Sequence, residues 1–323
     1  MLIVLDTNLL VADPALGTGP SAILLDYVHR TEGRILLSSL VLDELVANRV
    51  RMLETQWHDF VLATDKVRSF APDTPAVPPT PAFESIAKGH LKDVLKRLHV
   101  FDRDVLPVTE GQLREAVKRA VQRTPPCTKR GEEIRDTIIW LQALQLVREN
   151  PGTTVVFISG NTRQFATKDG ELHPTLAAEA TVGRLVYYSS LDAFAKQHAT
   201  AIEFITSKWI EERITPDAVY EAAADGLSAL AHRATRRRSS FAEFSIESHG
   251  LDLDDFYVYE MEDGTMRVLA YWYGWLECRT DGDDDYRFNP ATGHVDMDVS
   301  VTTEAIVRDQ TIQSWEVVGI DEV

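Results

Sequence analysis

The sequence has only two cysteines in 323 residues, Cys127 and Cys278, far apart and without a second cysteine or close histidine beside either. Neither a disulfide framework nor a zinc site is suggested. Long apolar runs are missing as well. No stretch approaches the roughly 20 apolar residues that span a bilayer. The first apolar run has no basic region before it and is broken at Asp6, so a secretory leader is not expected. These absences place the expected location in the cytoplasm, with no membrane partner. Bases are scarce in one part only. Residues 245–323 hold nineteen Asp and Glu against four Arg and no Lys, a net charge of −15, whereas the first 244 residues are nearly balanced at −2. The whole-chain charge of −17 speaks against nucleic-acid binding in general, because phosphate contacts depend on Lys and Arg. The acidity nevertheless belongs to the C-terminal segment, and the remainder carries local bases such as Lys129 and Arg130.

What is present is the composition of a folded protein: 44% hydrophobic residues and a mean hydropathy of −0.16. The length exceeds one ordinary core, so two domains are expected. The chain opens "MLIVLDTNLL", four apolar residues after Met1 stopped by Asp6, Thr7 and Asn8. That run has the length and flanks of a parallel strand covered on both faces. "RILLSS" and "TTVVFISGN" repeat the design, and "RLVYYSS" adds a fourth strand. Between them lie spans with apolar residues at helical spacing, notably "LVLDELVANRVRMLETQWHDFVLATDKVRSF" and "GEEIRDTIIWLQALQLVREN". Thr109 reads as an N-cap for "EGQLREAVKRAVQR". Five prolines in "APDTPAVPPTPAF" exclude helix interior and central strand, leaving a linker or a flap over a site.

Alternation of strands and helices predicts an α/β fold with a parallel sheet flanked by helices over residues 1–198. A helical connector is expected over 199–244. From residue 245 the period changes to two, with a turn at Asp263 and Gly264 and another at Asn289 to Gly293, so 245–323 reads as a small antiparallel β domain. Its aromatic stripe (Phe256, Tyr257, Tyr259, Tyr271, Trp272, Tyr273, Trp275) could stack bases. Alternating strand aromatics belong more often to a core, and the acidic background favours that reading.

In a parallel sheet all strands end at one edge, so polar residues after different strands can converge there. Asp6 follows the first strand, Glu44 lies in the helix after the second, Asn161 follows the third, and Asp136 opens the helix that feeds it. Hard divalent cations take carboxylate, amide and water oxygens. Asp6 therefore reads as a metal ligand. Taken singly, each residue has a plainer role as a strand end, solvated helix position or turn. "GTGPSA" lacks the Lys and spacing of a phosphate loop, and "DTN" has no clear Lys partner for aspartyl-phosphate chemistry.

"IVLDTNLL", "SSLVLDELVAN", "RDTIIWLQAL" and "VVFISGNTRQF", in this order, resemble the PIN-domain nucleases over about residues 1–198. The resemblance implies a Mg²⁺ or Mn²⁺ cluster that activates water to cleave RNA, less often structured DNA. It places the family's acids on Asp6, Glu44 and Asp136. Asn161 stands where many members have a fourth acid, with Ser159 at the hydroxyl position before it as a substrate contact. Glu133, one helical turn before Asp136, could supply the missing carboxylate. Lys129 and Arg130 are candidate phosphate contacts. The expected activity is a metal-dependent endoribonuclease modulated by the acidic C-terminal domain. Its rivals are an RNA- or protein-binding module with a degenerate site, and the toxin of a toxin–antitoxin pair, for which the chain is long. A regulatory protein and a second copy of the chain are further candidate partners.

Overall fold

Leu2–Leu5 forms β1 in the computed structural model, which describes residues 1–14, 16, 19–71, 75, 77–127, 133–180, 184–200, 202–236, 244–280, 288–289 and 294–322. The chain divides into two compact units, Met1–Phe194 and Ala195–Val323. In the first, β1 is followed by α1 (Thr7–Ala12), α2 (Gly19–Arg30), β2 (Arg34–Ser38) and α3 (Ser39–Phe70). Next come α4 (Phe83–Arg97), β3 (Val105–Leu106), α5 (Glu110–Gln122) and α6 (Ile134–Glu149). The series continues with β4 (Val155–Ile158), α7 (Thr162–Phe165), α8 (Pro174–Glu179) and β5 (Leu185–Tyr188), and α9 (Leu191–Gln197) crosses the boundary. The described prolines of the 72–81 segment, Pro75, Pro78, Pro79 and Pro81, lie outside helix and strand, as expected.

The sheet has the order β3-β2-β1-β4-β5, and every pairing is parallel. β1 is central, with Ile3 opposite both Ile35 and Val156. Flanked on two sides and covered on two faces, its side chains from Ile3 to Leu5 are at most 1% exposed. Each such burial contributes about 1.5–3 kcal/mol relative to an exposed side chain. The chain runs outward from β1 through β2 to β3, then crosses back to β4 on the other side. The strand order therefore reverses between β1 and β4, which opens a crevice at their carboxyl ends. β3, an edge strand of two residues, is not among the strands expected from the sequence. Asp104 and Pro107 bound it too closely for any period-two signal.

The second unit holds α10 (Ser207–Glu211), α11 (Pro216–Arg236), β6 (Phe244–Glu260), β7 (Met266–Thr280), β8 (Phe288–Asn289), β9 (His294–Arg308) and β10 (Thr311–Glu322). Its antiparallel sheet has the order β10-β9-β7-β6, with β8 beside β9. The Asp263–Gly264 turn joins β6 to β7, and Gly264 supplies the positive φ of +77° it needs. Of the second expected turn, Asn289 ends β8, and residues 290–293 lie outside the described residues.

The stretch expected to be a connector is drawn into this second unit. Val219, Ala223, Leu227 and Ala231 recur every four residues along α11 and are at most 1% exposed, in one apolar cluster with Trp272, Leu276, Val299 and Val301 of the sheet. One face of an antiparallel sheet needs a cover, and the apolar stripe of α11 provides it. No described helix is long and apolar enough to cross a membrane.

Candidate active site

The crevice at the ends of β1 and β4 is built from backbone changes of direction. Asp6 leaves β1 in extended conformation (φ −86°, ψ 156°) and caps α1, its Oδ1 accepting from the Thr7 amide at 2.7 Å. Its own amide donates to the Ile158 carbonyl at 3.1 Å, which keeps it in register with β4. Ser159, the first residue after β4, donates its hydroxyl to Asp6 Oδ2 at 2.6 Å and accepts from the Asn161 amide at 3.1 Å. The Tyr187 hydroxyl donates to the Ser159 carbonyl at 3.2 Å, and Asn8 Oδ1 accepts from the Gly160 amide.

Two helices bring the other acids. Glu44, in the second turn of α3, accepts from the Thr7 hydroxyl at 2.9 Å through Oε2 and pairs with the Arg135 guanidinium through Oε1. Asp136 lies in the first turn of α6, and its Oδ2 accepts from Asn161 Nδ2 at 2.9 Å. Glu133 is the N-cap residue of the same helix. Asp6, Glu44, Glu133, Arg135, Asp136 and Asn161 line one open cleft of about 450 Å³.

Crowding acids in a half-dry cleft disfavours their charge. Burial pushes the Asp136 carboxyl up to about 7, and repulsion from Asp6 adds to it; the Asn161 hydrogen bond and Arg135 oppose the shift. Asp6, 5% exposed, is also raised by burial, against the hydrogen bonds from Ser159 and Thr7. Tyr187 is pushed up to about 12 by burial and then by Asp6, so it stays a hydrogen-bond donor.

These donors suit a hard divalent cation in kind: carboxylates at Asp6, Asp136 and Glu133 and an amide oxygen at Asn161. A cation there would offset the repulsion that raises Asp136. Among the described residues, however, no group of three or more His, Cys, Asp or Glu is already arranged to hold an ion. Glu44 in this arrangement is turned to a cation of the chain, with one oxygen engaged by Thr7 and the other by Arg135.

Of the residues anticipated from the sequence, Asp6, Glu44, Glu133, Asp136 and Asn161 are brought together. Ser159 requires a correction. It is fully buried with its hydroxyl on Asp6, so it positions that carboxylate and is not exposed to a substrate. Lys129 and Arg130 lie outside the described residues. Sequence reasoning misses Arg135 and Thr7, although each adjoins an expected ligand and a bulky cation beside Asp136 is the available signal.

A PIN-domain family model matches residues 3–165. No curated protein matches the chain. Among solved structures, that of VapBC2 from Rickettsia felis bound to a DNA fragment from its promoter aligns with 58% of this chain and 99% of that chain, at 14% identity and a TM-score of 0.32.

Proposed function

Because the chain belongs to the PIN-domain family, whose members are generally nucleases, we propose that it is a metal-dependent endoribonuclease. The observation that carries this reading is the convergence of Asp6, Glu44, Asp136 and Asn161 on one cleft from elements far apart in sequence. Asp6, Asp136, Glu133 and Glu44, with the Asn161 amide oxygen, would hold Mg²⁺ or Mn²⁺. When bound, such an ion lowers the pKa of a coordinated water and offsets charge on the scissile phosphate.

The chain's own residues prepare the rest. Ser159 and the Thr7 amide fix both oxygens of Asp6, so its carboxylate enters the cleft in one orientation. Asn161 holds Asp136 Oδ2, which leaves Oδ1 as the oxygen that would meet the cation. Glu44 would be free to hold the ion only if it gave up Arg135, whose guanidinium, with its side chain 62% exposed, would then be available to a substrate phosphate. Lys129 and Arg130 are further phosphate contacts in this reading.

The test is cleavage of labelled single-stranded and structured RNA, with DNA controls, by the whole protein in Mn²⁺ or in EDTA. Cutting is expected in Mn²⁺, with none in EDTA and none by Asp6→Asn. Identical products in EDTA would sink the metal-dependent reading. Retained RNA binding with no cutting in Mn²⁺ would favour a non-catalytic binding module, a reading that the engaged Glu44 supports.

The acidic unit is proposed to modulate this site by competing with nucleic acid for its basic side chains. Each unit has its own apolar cluster, and a cut after α9 keeps that helix whole with the first. A chain ending at His198 is expected to bind RNA several-fold more tightly than the full chain at low salt, with the gap closing as ionic strength rises. Equal affinities at low salt would end this proposal.

A further inference from the structure

The central strand β7 presents one row of aromatic side chains away from the α11-covered core. Trp272, Leu276 and Cys278 on the inner face are fully buried, whereas Tyr273 and Trp275 on the other face are 43% and 46% exposed. Tyr271 continues this row and meets Tyr257 of β6 edge to face, with ring centroids 5.7 Å apart. The aromatic stripe noted in the sequence is therefore divided: Tyr259 and Trp272 are buried, Tyr273 and Trp275 are exposed, and Phe256, Tyr257 and Tyr271 lie between.

Acids flank the exposed row on both neighbouring strands. Asp252 and Asp255 of β6 lie opposite Tyr273 and Tyr271, and Asp298 of β9 lies opposite Trp275. All three are exposed. Gly250, opposite Trp275, gives the indole room: a Cβ there would sit 2.8 Å from its Nε1. The indole thus lies along the sheet surface, presenting its ring.

One cation of the chain already sits on this face. The Lys196 ammonium lies 4.6 Å from the centre of the Tyr257 ring and 3.8 Å from Asp255 Oδ2. It illustrates what the rest of the row can accept, a cation over an aromatic face with a carboxylate beside it. From this arrangement we propose that the β6–β7–β9 face is a docking surface for an extended, Lys- and Arg-rich peptide segment of a partner protein. Charge complementarity commits the choice. The segment from residue 245 onward carries a net charge of −15, which repels a nucleic-acid strand and attracts a basic one. Basic side chains would alternate over Tyr271, Tyr273 and Trp275, with ammonium or guanidinium groups meeting Asp252 and Asp298. The inference is independent of the nuclease reading.

The experiment measures anisotropy of a fluorescein-labelled peptide of about twelve residues alternating Arg or Lys with Gly, titrated with the whole protein. Controls are a peptide with Glu in place of the bases and a labelled single-stranded RNA. Trp275→Ala with Tyr273→Ala leaves the charge unchanged and is expected to weaken peptide binding at least about tenfold through two lost cation–π contacts. Trp275→Phe with Tyr273→Phe should restore most of the affinity, and it separates ring loss from misfolding. Asp252→Asn with Asp298→Asn should weaken binding more than Glu211→Gln with Glu212→Gln, which removes the same charge elsewhere. Peptide affinity that is indifferent to the aromatic change overturns the proposal, as does tight RNA binding lost in the same variant.

Discussion

Replacing Asp136 by Asn is expected to lower metal-dependent cleavage at least about a hundredfold and, in EDTA above neutral pH, to make the protein more stable. The two effects share a cause. Burial and the nearby Asp6 raise the folded-state carboxyl from 3.8 to about 7, so the folded protein disfavours the very charge that a cation needs. Between those values the folded state binds more protons at this site than the unfolded state does. Stability contributed by the site is therefore full below about pH 4 and is lost as pH rises through 7. Asn keeps the shape and can still accept from Asn161, but it has no charge to desolvate. After allowance for solvent in the open cleft, the gain at pH 8 should be about 2 kcal/mol, and at pH 4 about zero. Urea unfolding in EDTA at the two pH values checks it. A gap that does not depend on pH would mean that the carboxyl is not held as described.

A large loss of stability is expected from Trp140→Ala. Trp140 is fully buried on α6, with ring centroids 5.8 Å from Phe157 and 6.3 Å from Phe165. Its indole donates to Glu179 Oε2 at 2.9 Å, and Glu179 also receives Arg119 at 3.0 Å. Truncation leaves a cavity and removes a donor from a half-buried carboxylate, costing about 3–5 kcal/mol. That is a large part of the roughly 5–15 kcal/mol typical of a whole protein. Calorimetry should show the transition of the first unit falling while that of the second holds. A loss under about 1 kcal/mol would show that the aromatic cluster does not anchor α6. Asp136 is one helical turn before Trp140, so cleavage should suffer too.

How much of this is legible in the sequence depends on how local each signal is. β1, β2, β4 and β5 can be read because each is a short apolar run stopped by polar residues. The same pattern leads to Asp6 and Asn161, which sit at those stops. β3 cannot be read, since two residues carry no period. The helical stretch before residue 244 is visible in the sequence, but its place against the antiparallel sheet is not. Only the sheet shows which face needs a cover. Side-chain pairing is the least legible. Nothing in the order of residues says that Arg135 turns to Glu44 across 91 positions or that the Ser159 hydroxyl turns inward to Asp6. The aromatic stripe reads as one feature because alternation alone does not say which face is covered.

The position of β1 bears on how the chain folds as well as on what it does. β1, synthesised before the other four strands of its sheet, is the middle strand, and its partner β4 begins about 150 residues later, at Val155 opposite Leu2. At about 5–20 residues per second, a ribosome takes roughly eight to thirty seconds to supply that partner. Through this interval "LIVL" can pair only with β2 and keeps an open edge. The antiparallel unit faces no such delay, because β6 and β7 are joined by a short turn and can zip together as soon as they emerge. The parallel unit is thus expected to be completed slowly, and the antiparallel unit that follows it to form quickly.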